Sequence, residues 1–298
     1  MNSPKSPASI GLRPTAPVTA PDGVRVVVHL LGGDGPPLLL CHATGFHGLV
    51  WWPLAERLAG RFRCLAPDLR GHGDSAEPPG LQLDWSGFAT DALAVVDGLG
   101  LEQPFGAGHS SGATALLLAE EARPGTFRAL YCFEPVIVPA DPPLGRDPDN
   151  WLSQRARARR ATFASRPEAL GHYAARSPLS EIDPGVLRAY VEHGLEDVAD
   201  GGVRLKCRPE HEALVYEMAT AHDCFTHLSR VRCLVTLVRG GRSEAYRPKL
   251  FEELADRLAR SRSEVLPELS HLGPLEDPDA VAGSILRALA AAGERPPQ

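Results

Sequence analysis

Two side chains in this sequence are of the types that perform acyl transfer, and they stand in the right order. Ser110 is the centre of Gly108-His109-Ser110-Ser111-Gly112, a Gly-x-Ser-x-Gly pentad, and His271 lies in Leu269-Ser270-His271-Leu272-Gly273-Pro274. A serine hydroxyl becomes a nucleophile when an imidazole takes its proton, and a carboxylate must hold that imidazole in one tautomer. A glycine-rich turn can spell the same pentad, so its flanks decide. Pro104 to Ala107 reads as a short buried strand and Ala113 to Ala122 as a helix. A serine at such a strand-to-helix turn is held in a strained backbone with its hydroxyl exposed at the top of a sheet. Glycines at 108 and 112 let strand and helix approach closely around it.

The elements around these residues alternate. Val24 to Leu31 is β-rich, and Pro37 to Cys41 is an apolar run of strand length closed by the turn His42 to Gly48. That turn sits where a backbone N–H can face the serine and help hold an oxyanion. Phe62 to Ala66 is a strand followed by the turn Pro67 to Ser75; Asp84 to Leu99 is an amphipathic helix that Asp84 can cap; Thr126 to Phe133 is another strand. From Val136 to about Leu228 the alternation stops in favour of a proline-rich linker and helical stretches such as Trp151 to Ala164 and Pro184 to His193. It resumes with Cys233 to Val238, Pro248 to Arg260, Glu264 to Pro267 and Pro278 to Ala291.

Four blocks, His42-Ala-Thr-Gly, Asp68-Leu-Arg-Gly-His-Gly-Asp-Ser, Gly108-His-Ser-Ser-Gly and His271-Leu-Gly-Pro-Leu-Glu-Asp-Pro, fall in the order found in the α/β-hydrolase superfamily. The chain resembles that superfamily over roughly residues 22 to 292. The resemblance implies an α/β fold with a mostly parallel central sheet flanked by helices. It expects a core of residues 22–135 and 229–298, a helical cap at 136–228 inserted after the sixth strand, and a disordered tail at 1–21. It implies Ser110 as nucleophile, His271 as general base and acid, and the backbone N–H groups of Thr44 and Ser111 as oxyanion hole. The acid departs from the family pattern, in which an Asp closes a Gly-x-x-Asp turn after the seventh strand. Here Arg239-Gly240-Gly241-Arg242-Ser243-Glu244 puts a serine at that position and a carboxylate one residue late. The other candidate is Glu134, at the end of the sixth strand before Pro135, where a branch of the haloalkane dehalogenases carries its acid. Glu134, on a regular strand before a rigid proline, is favoured over Glu244 in an irregular turn.

The substrate pocket is expected between Ser110 and the cap, walled by Phe46, His47, Trp51 or Trp52, residues 132–137, Trp151 and Tyr173, for a small-molecule carbonyl substrate. A carboxylic ester is the default; a thioester or a carbon–carbon bond is open. So are a non-hydrolytic lyase, cyclase or perhydrolase and a binding protein with a degraded triad. Asp68, Arg70 and Asp74 read as loop structure, and the run Arg155 to Arg160 as the solvated face of a cap helix. Of 31 basic residues only Lys5, Lys206 and Lys249 are lysines, and the net charge is -6. That balance disfavours nucleic acid and anionic membrane as partners. The six cysteines show no Cys-x-x-Cys spacing, and no dinucleotide fingerprint opens the first helix, so neither metal nor cofactor is expected. With no apolar run of signal-peptide or membrane-span length, a cytoplasmic protein is expected. A homodimer is left open.

Overall fold

A computed structural model describes residues 13–14, 16–199 and 201–293. The core is an eight-stranded sheet. Its strands are β1 (Arg13–Pro14), β2 (Val28–Gly32), β3 (Pro37–Cys41), β4 (Arg63–Pro67), β5 (Phe105–His109), β6 (Ala129–Phe133), β7 (Leu234–Gly240) and β8 (Ser261–Leu266). They lie in the order β1-β2-β4-β3-β5-β6-β7-β8. The pairings β1–β2 and β2–β4 are antiparallel and the rest parallel. Every residue of β5 and β6 is buried, as continuous apolar strands covered on both faces must be.

Helices cover both faces. α1 (Trp52–Leu58) and the C-terminal helix Pro278–Gly293 share one core with one face of the sheet, including Leu38, Leu40, Ala107, Tyr131 and Phe133. On the other face α2 (Trp85–Gly98) and α3 (Ser111–Ala122) pack with Leu39, Cys41, Leu130 and Cys132. Asp84 caps α2 by accepting from the Gly87 N–H at 2.6 Å. Such a sheet places its chemistry beyond the C-terminal ends of the parallel strands, where β3, β5, β6 and β7 all end side by side.

Between β6 and β7 lies the inserted segment, which differs from the expected all-helical stretch. It holds α4 (Trp151–Arg157), α5 (Arg166–Ala174), α6 (Pro184–Gly194) and α7 (Pro209–Glu217), together with a three-stranded antiparallel sheet of Leu195–Asp197, Val203–Leu205 and Thr162–Phe163. The helix expected to reach Ala164 stops at Arg157, because Thr162 and Phe163 pair with Arg204 and Val203 and such residue types favour strands. The expected disordered tail also needs correcting where it is described. Arg13–Pro14 pairs with β2, and Val18–Thr19 pairs with Arg25–Val26. Val18 is buried against Gly98 at the end of α2, which gives this segment an apolar anchor. Residues 1–12 and 15 of that tail lie outside the described residues. Among the described residues no helix is long and apolar enough to cross a membrane.

Candidate active site

Ser110 follows β5 and precedes α3 with φ 52° and ψ −118°, a left-handed backbone that a non-glycine residue adopts only under constraint. The constraint is visible. The Ser110 N–H donates to the Phe133 carbonyl at 2.9 Å, and its own carbonyl accepts from Thr114 N–H at 3.1 Å. A Cβ at Gly108 would stand 2.5 Å from Ala113 Cα, and one at Gly112 would stand 2.3 Å from the Cys41 carbonyl oxygen. No side chain fits at either position, so the two glycines are what allow the turn to form.

His271 sits in the turn after β8. Its Nδ1 donates to Glu134 Oε2 at 2.6 Å, which leaves Nε2 free of a proton and able to act as a base. Glu134 is buried at the end of β6, and its other contacts hold it in place. Oε1 accepts from Gly240 N–H at 2.8 Å, and Oε2 also accepts from Ser243 Oγ at 2.8 Å. The residue found where the family keeps its aspartate thus donates to the displaced carboxylate. Glu244, the competing candidate, is exposed in the next turn and away from this cluster. Its backbone has left β7 by then, so its side chain faces solvent.

Sequence reasoning missed His109. Its Nε2 lies 2.8 Å from the His271 carbonyl, and since a carbonyl only accepts, that nitrogen carries the proton. Burial and the neighbouring His271 hold His109 well below its ordinary pKa, so it stays neutral. It ties the residue before Ser110 to the backbone of the histidine turn. Its place beside the pentad serine was the available signal.

Thr44 and Ser111 are the residues whose backbone N–H groups the resemblance offers to an oxyanion. Ser111 opens α3, where a backbone N–H has no intrahelical acceptor, and Thr44 lies in the turn after β3, whose first residue His42 packs by its carbonyl against Gly112. That turn is pinned by His42, whose Nδ1–H donates to Ala43 O at 2.8 Å while Nε2 accepts from Leu69 N–H at 3.0 Å. Burial and the adjacent His72 push its pKa down to about 3, which keeps the imidazole neutral.

His47 is not a substrate contact. It is buried behind the turn, donates from Nε2 to the Tyr190 carbonyl of α6 at 3.2 Å and stacks on the Tyr190 ring at 6.1 Å. Burial pushes its pKa down to about 4. It joins the turn to the inserted segment. Phe46 and Trp151 do reach the cavity, a space of about 570 Å³ between the Thr44 turn, Leu272 and the inserted segment. Trp51 belongs instead to the core, and Trp52 lines a separate outer cleft of about 780 Å³. Cys132 and Phe133 are enclosed within the sheet.

In the basic run Arg155, Arg157 and Arg160 are exposed, as expected of a solvated face, and Arg159 is the one that turns inward. Arg157 pairs with Glu210 and with Glu217 at 2.7 Å, while Arg155, Arg159 and Arg160 also border the cavity, Arg159 alone of the four being half-buried. Arg159 pairs with Glu212 and donates from Nη2 to Tyr190 OH at 2.7 Å.

Behind the site Asp68 and Arg70 anchor separate networks. Asp68 accepts from Gly48 N–H at 2.7 Å, Asp74 N–H at 2.8 Å and His29 Nε2 at 3.0 Å. Burial opposes its charge, but His29 and the surrounding histidines outweigh it and hold the carboxyl well below the usual range. Arg70 is buried in a two-pronged pair with Asp91, at 2.9 and 2.7 Å, and meets Asp22 at 2.7 Å. His29, Asp68 and Asp74 bring ligand-type atoms within 4.8 Å, yet Asp68 is taken up by donors and Asp74 by Lys206 at 2.6 Å. His211, His222 and His227 face Glu77, the Val136 carbonyl and Glu121 respectively and form no joint site.

Comparison with known proteins bears on the family and the fold. The chain is 31% identical over 121 residues to haloalkane dehalogenase 2 of Mycobacterium tuberculosis, covering 40% of this chain and 42% of the dehalogenase. It is 28% identical over 172 residues to 2-(acetamidomethylene)succinate hydrolase of Mesorhizobium japonicum, covering 58% of this chain and 59% of that protein. These stretches span about half of each relative. The crystal structure of E-2-(acetamidomethylene)succinate hydrolase superposes with a TM-score of 0.81 at 22% identity, over 94% of this chain and 99% of the other. A model of the alpha/beta hydrolase family matches residues 38–284, from β3 through the turn that carries His271, and the chain belongs to that family.

Proposed function

We propose that the protein is a serine hydrolase that cleaves a carbonyl substrate, a carboxylic ester first of all, through Ser110, His271 and Glu134. The observation that carries the reading is the 2.6 Å contact of His271 Nδ1 with a buried, fixed Glu134 carboxylate, next to a serine in a strained strand-to-helix turn. The matched relatives are named as hydrolases, one of them a dehalogenase. Dehalogenation takes a carboxylate as nucleophile, and Ser110 fills that position here, which favours attack at a carbonyl.

In the first half-reaction Ser110 Oγ bonds to the carbonyl carbon while its proton passes to His271 Nε2. The oxyanion meets the N–H groups of Thr44 and Ser111. As the carbon–oxygen bond to the alcohol breaks, His271 returns the proton to the leaving alkoxide, and the acyl group stays on Ser110. Water then repeats the sequence, its proton going to His271 and the acid leaving as Ser110 recovers its own. Glu134 stays ionised and stabilises the imidazolium. The inserted segment, residues 136–228, acts as a cap over the site.

Fluorophosphonate labelling with intact-mass readout, on wild type and Ser110→Ala, tests the reading. One adduct on wild type and none on the variant, with ester turnover lost in parallel, is the expected outcome. A folded wild type that takes no label, or a variant labelled equally, refutes it.

A further inference from the structure

We propose that the cavity bounded by the Thr44 turn and by Leu272, the residue after His271, selects substrates that carry a carboxylate a few atoms from the scissile carbonyl. The inference deepens the serine-hydrolase reading and rests on it for the carbonyl, while the acid site rests on arginines that reading does not use. The chain as a whole is acidic, at -6. The cavity wall is the reverse, with Arg155, Arg159, Arg160 and Arg176 against the single carboxylate of Glu212.

Their partners separate them into roles. Arg160 is taken by Glu168 at 2.7 Å and the Thr162 carbonyl at 2.8 Å. Arg159 and Glu212 form a pair with no net charge, which fixes the guanidinium in place at the edge of the oxyanion turn. A Cβ on Gly45 would lie only 3.4 Å from Arg159 Nη1, so this fork stands one residue from Thr44. Two of its N–H groups are used by Glu212 and Tyr190, leaving others to donate. Arg155, on α4, lies against the Trp151 ring at 5.5 Å, and Arg176, after α5, donates to the His172 carbonyl at 3.1 Å. Among the described residues neither pairs with a carboxylate, so two uncompensated positive charges border the cavity.

A carboxylate suits this wall. Its plane matches the guanidinium fork, and its single charge is met by the two free arginines. A doubly charged phosphate would sit against Glu212 with more repulsion. Phe46, Trp151, Tyr173 and Leu272 offer apolar surface to the chain between acid and carbonyl.

A matched pair of esters, p-nitrophenyl hydrogen glutarate and its methyl ester, differs only in the distal charge. Wild type is expected to favour the acid in kcat/KM by about tenfold, in line with charge-assisted hydrogen bonds. The ratio should fall towards one in Arg155→Gln/Arg176→Gln and in Arg159→Gln. The first variant alters exposed residues and keeps the test valid if the second misfolds. Calorimetry with glutarate reads the acid site without turnover, and binding by wild type should weaken about tenfold in the double variant. A labelled, active wild type with no preference for the acid overturns the acid site and leaves the hydrolase standing. If Ser110 takes no label, glutarate binding alone decides, and its absence overturns the inference. Inorganic phosphate bound as tightly as glutarate would make this a general oxyanion site and overturn the carboxylate assignment.

Discussion

Exchanging the Glu134 carboxylate for an amide, Glu134→Gln, moves the proton on His271 while leaving the size of both side chains unchanged. The carboxylate oxygens are not equivalent. Oε1 accepts from Gly240 N–H, and Oε2 accepts from Ser243 Oγ and from His271 Nδ1. Turning the amide nitrogen towards Gly240 would set two donors against each other, so the oxygen stays there and the NH₂ faces His271. Nδ1 must then accept, which sends the imidazole proton to Nε2, the nitrogen required as base. A base in the wrong tautomer costs about 10⁴-fold in kcat, roughly 5.5 kcal/mol of transition-state stabilisation. KM should change little, because Glu134 is enclosed beneath His271 and does not line the cavity. The assay is the rate of fluorophosphonate modification together with kcat on an ester, with circular dichroism to verify the fold. Glu244→Gln, on an exposed side chain, should stay within about twofold of wild type, as surface changes away from special features do. A Glu134→Gln enzyme within tenfold of wild type, or a larger loss in Glu244→Gln, would refute the assignment of the acid.

Three further outcomes are expected. Ser110→Gly removes both the nucleophile and the strain of a side chain at φ 52°, so an inactive protein more stable by about 1 kcal/mol should appear as a higher urea midpoint with unchanged slope. Asp91→Ala leaves the Arg70 guanidinium buried with only Asp22 and should cost about 3–5 kcal/mol in the same titration, far more than Asp279→Ala at the exposed pair with Arg57. His42 and His47 are held by burial at about 3 and about 4, below the 6.5 of the unfolded chain. Between pH 6.5 and 4 the unfolded state therefore binds protons that the folded state refuses, so the stability present above pH 6.5 is lost as pH falls. His29, where Asp68 outweighs burial and raises the pKa, offsets part of that loss. Urea midpoints at pH 7.5 and pH 5 check it, and His47→Gln should flatten the difference.

The pentad and the histidine turn were legible because their chemistry needs fixed residue types within a few positions, and because β5 and α3 repeat simple apolar patterns. The fold followed from that alternation. Glu134 was legible only as one of two carboxylates, since the choice between them depends on where β6 and β7 end in space. Local sequence says nothing about Gly240 N–H and Ser243 Oγ converging on it. The inward turn of Arg159 was hidden for a related reason. Helical spacing reports which residues share a face, and it does not report whether that face looks onto solvent or onto a cavity made by Thr44 and α5. His47 erred the other way, because proximity in sequence to the oxyanion turn suggested a ligand contact where the fold uses a bracket.

That bracket has a consequence for how the enzyme would lose function. His47 and Tyr190 tie the turn holding Thr44 to α6, while Arg159 and Glu212 stand within touching distance of Gly45. The inserted segment and the turn holding Thr44 are thus tied together at two points. A displacement of α6 would therefore carry the Thr44 turn with it, while Trp151 stays an exposed side chain at the edge of the cavity. Warming that loosens α6 should silence the catalyst before the sheet melts, and inactivation by heat would then precede unfolding.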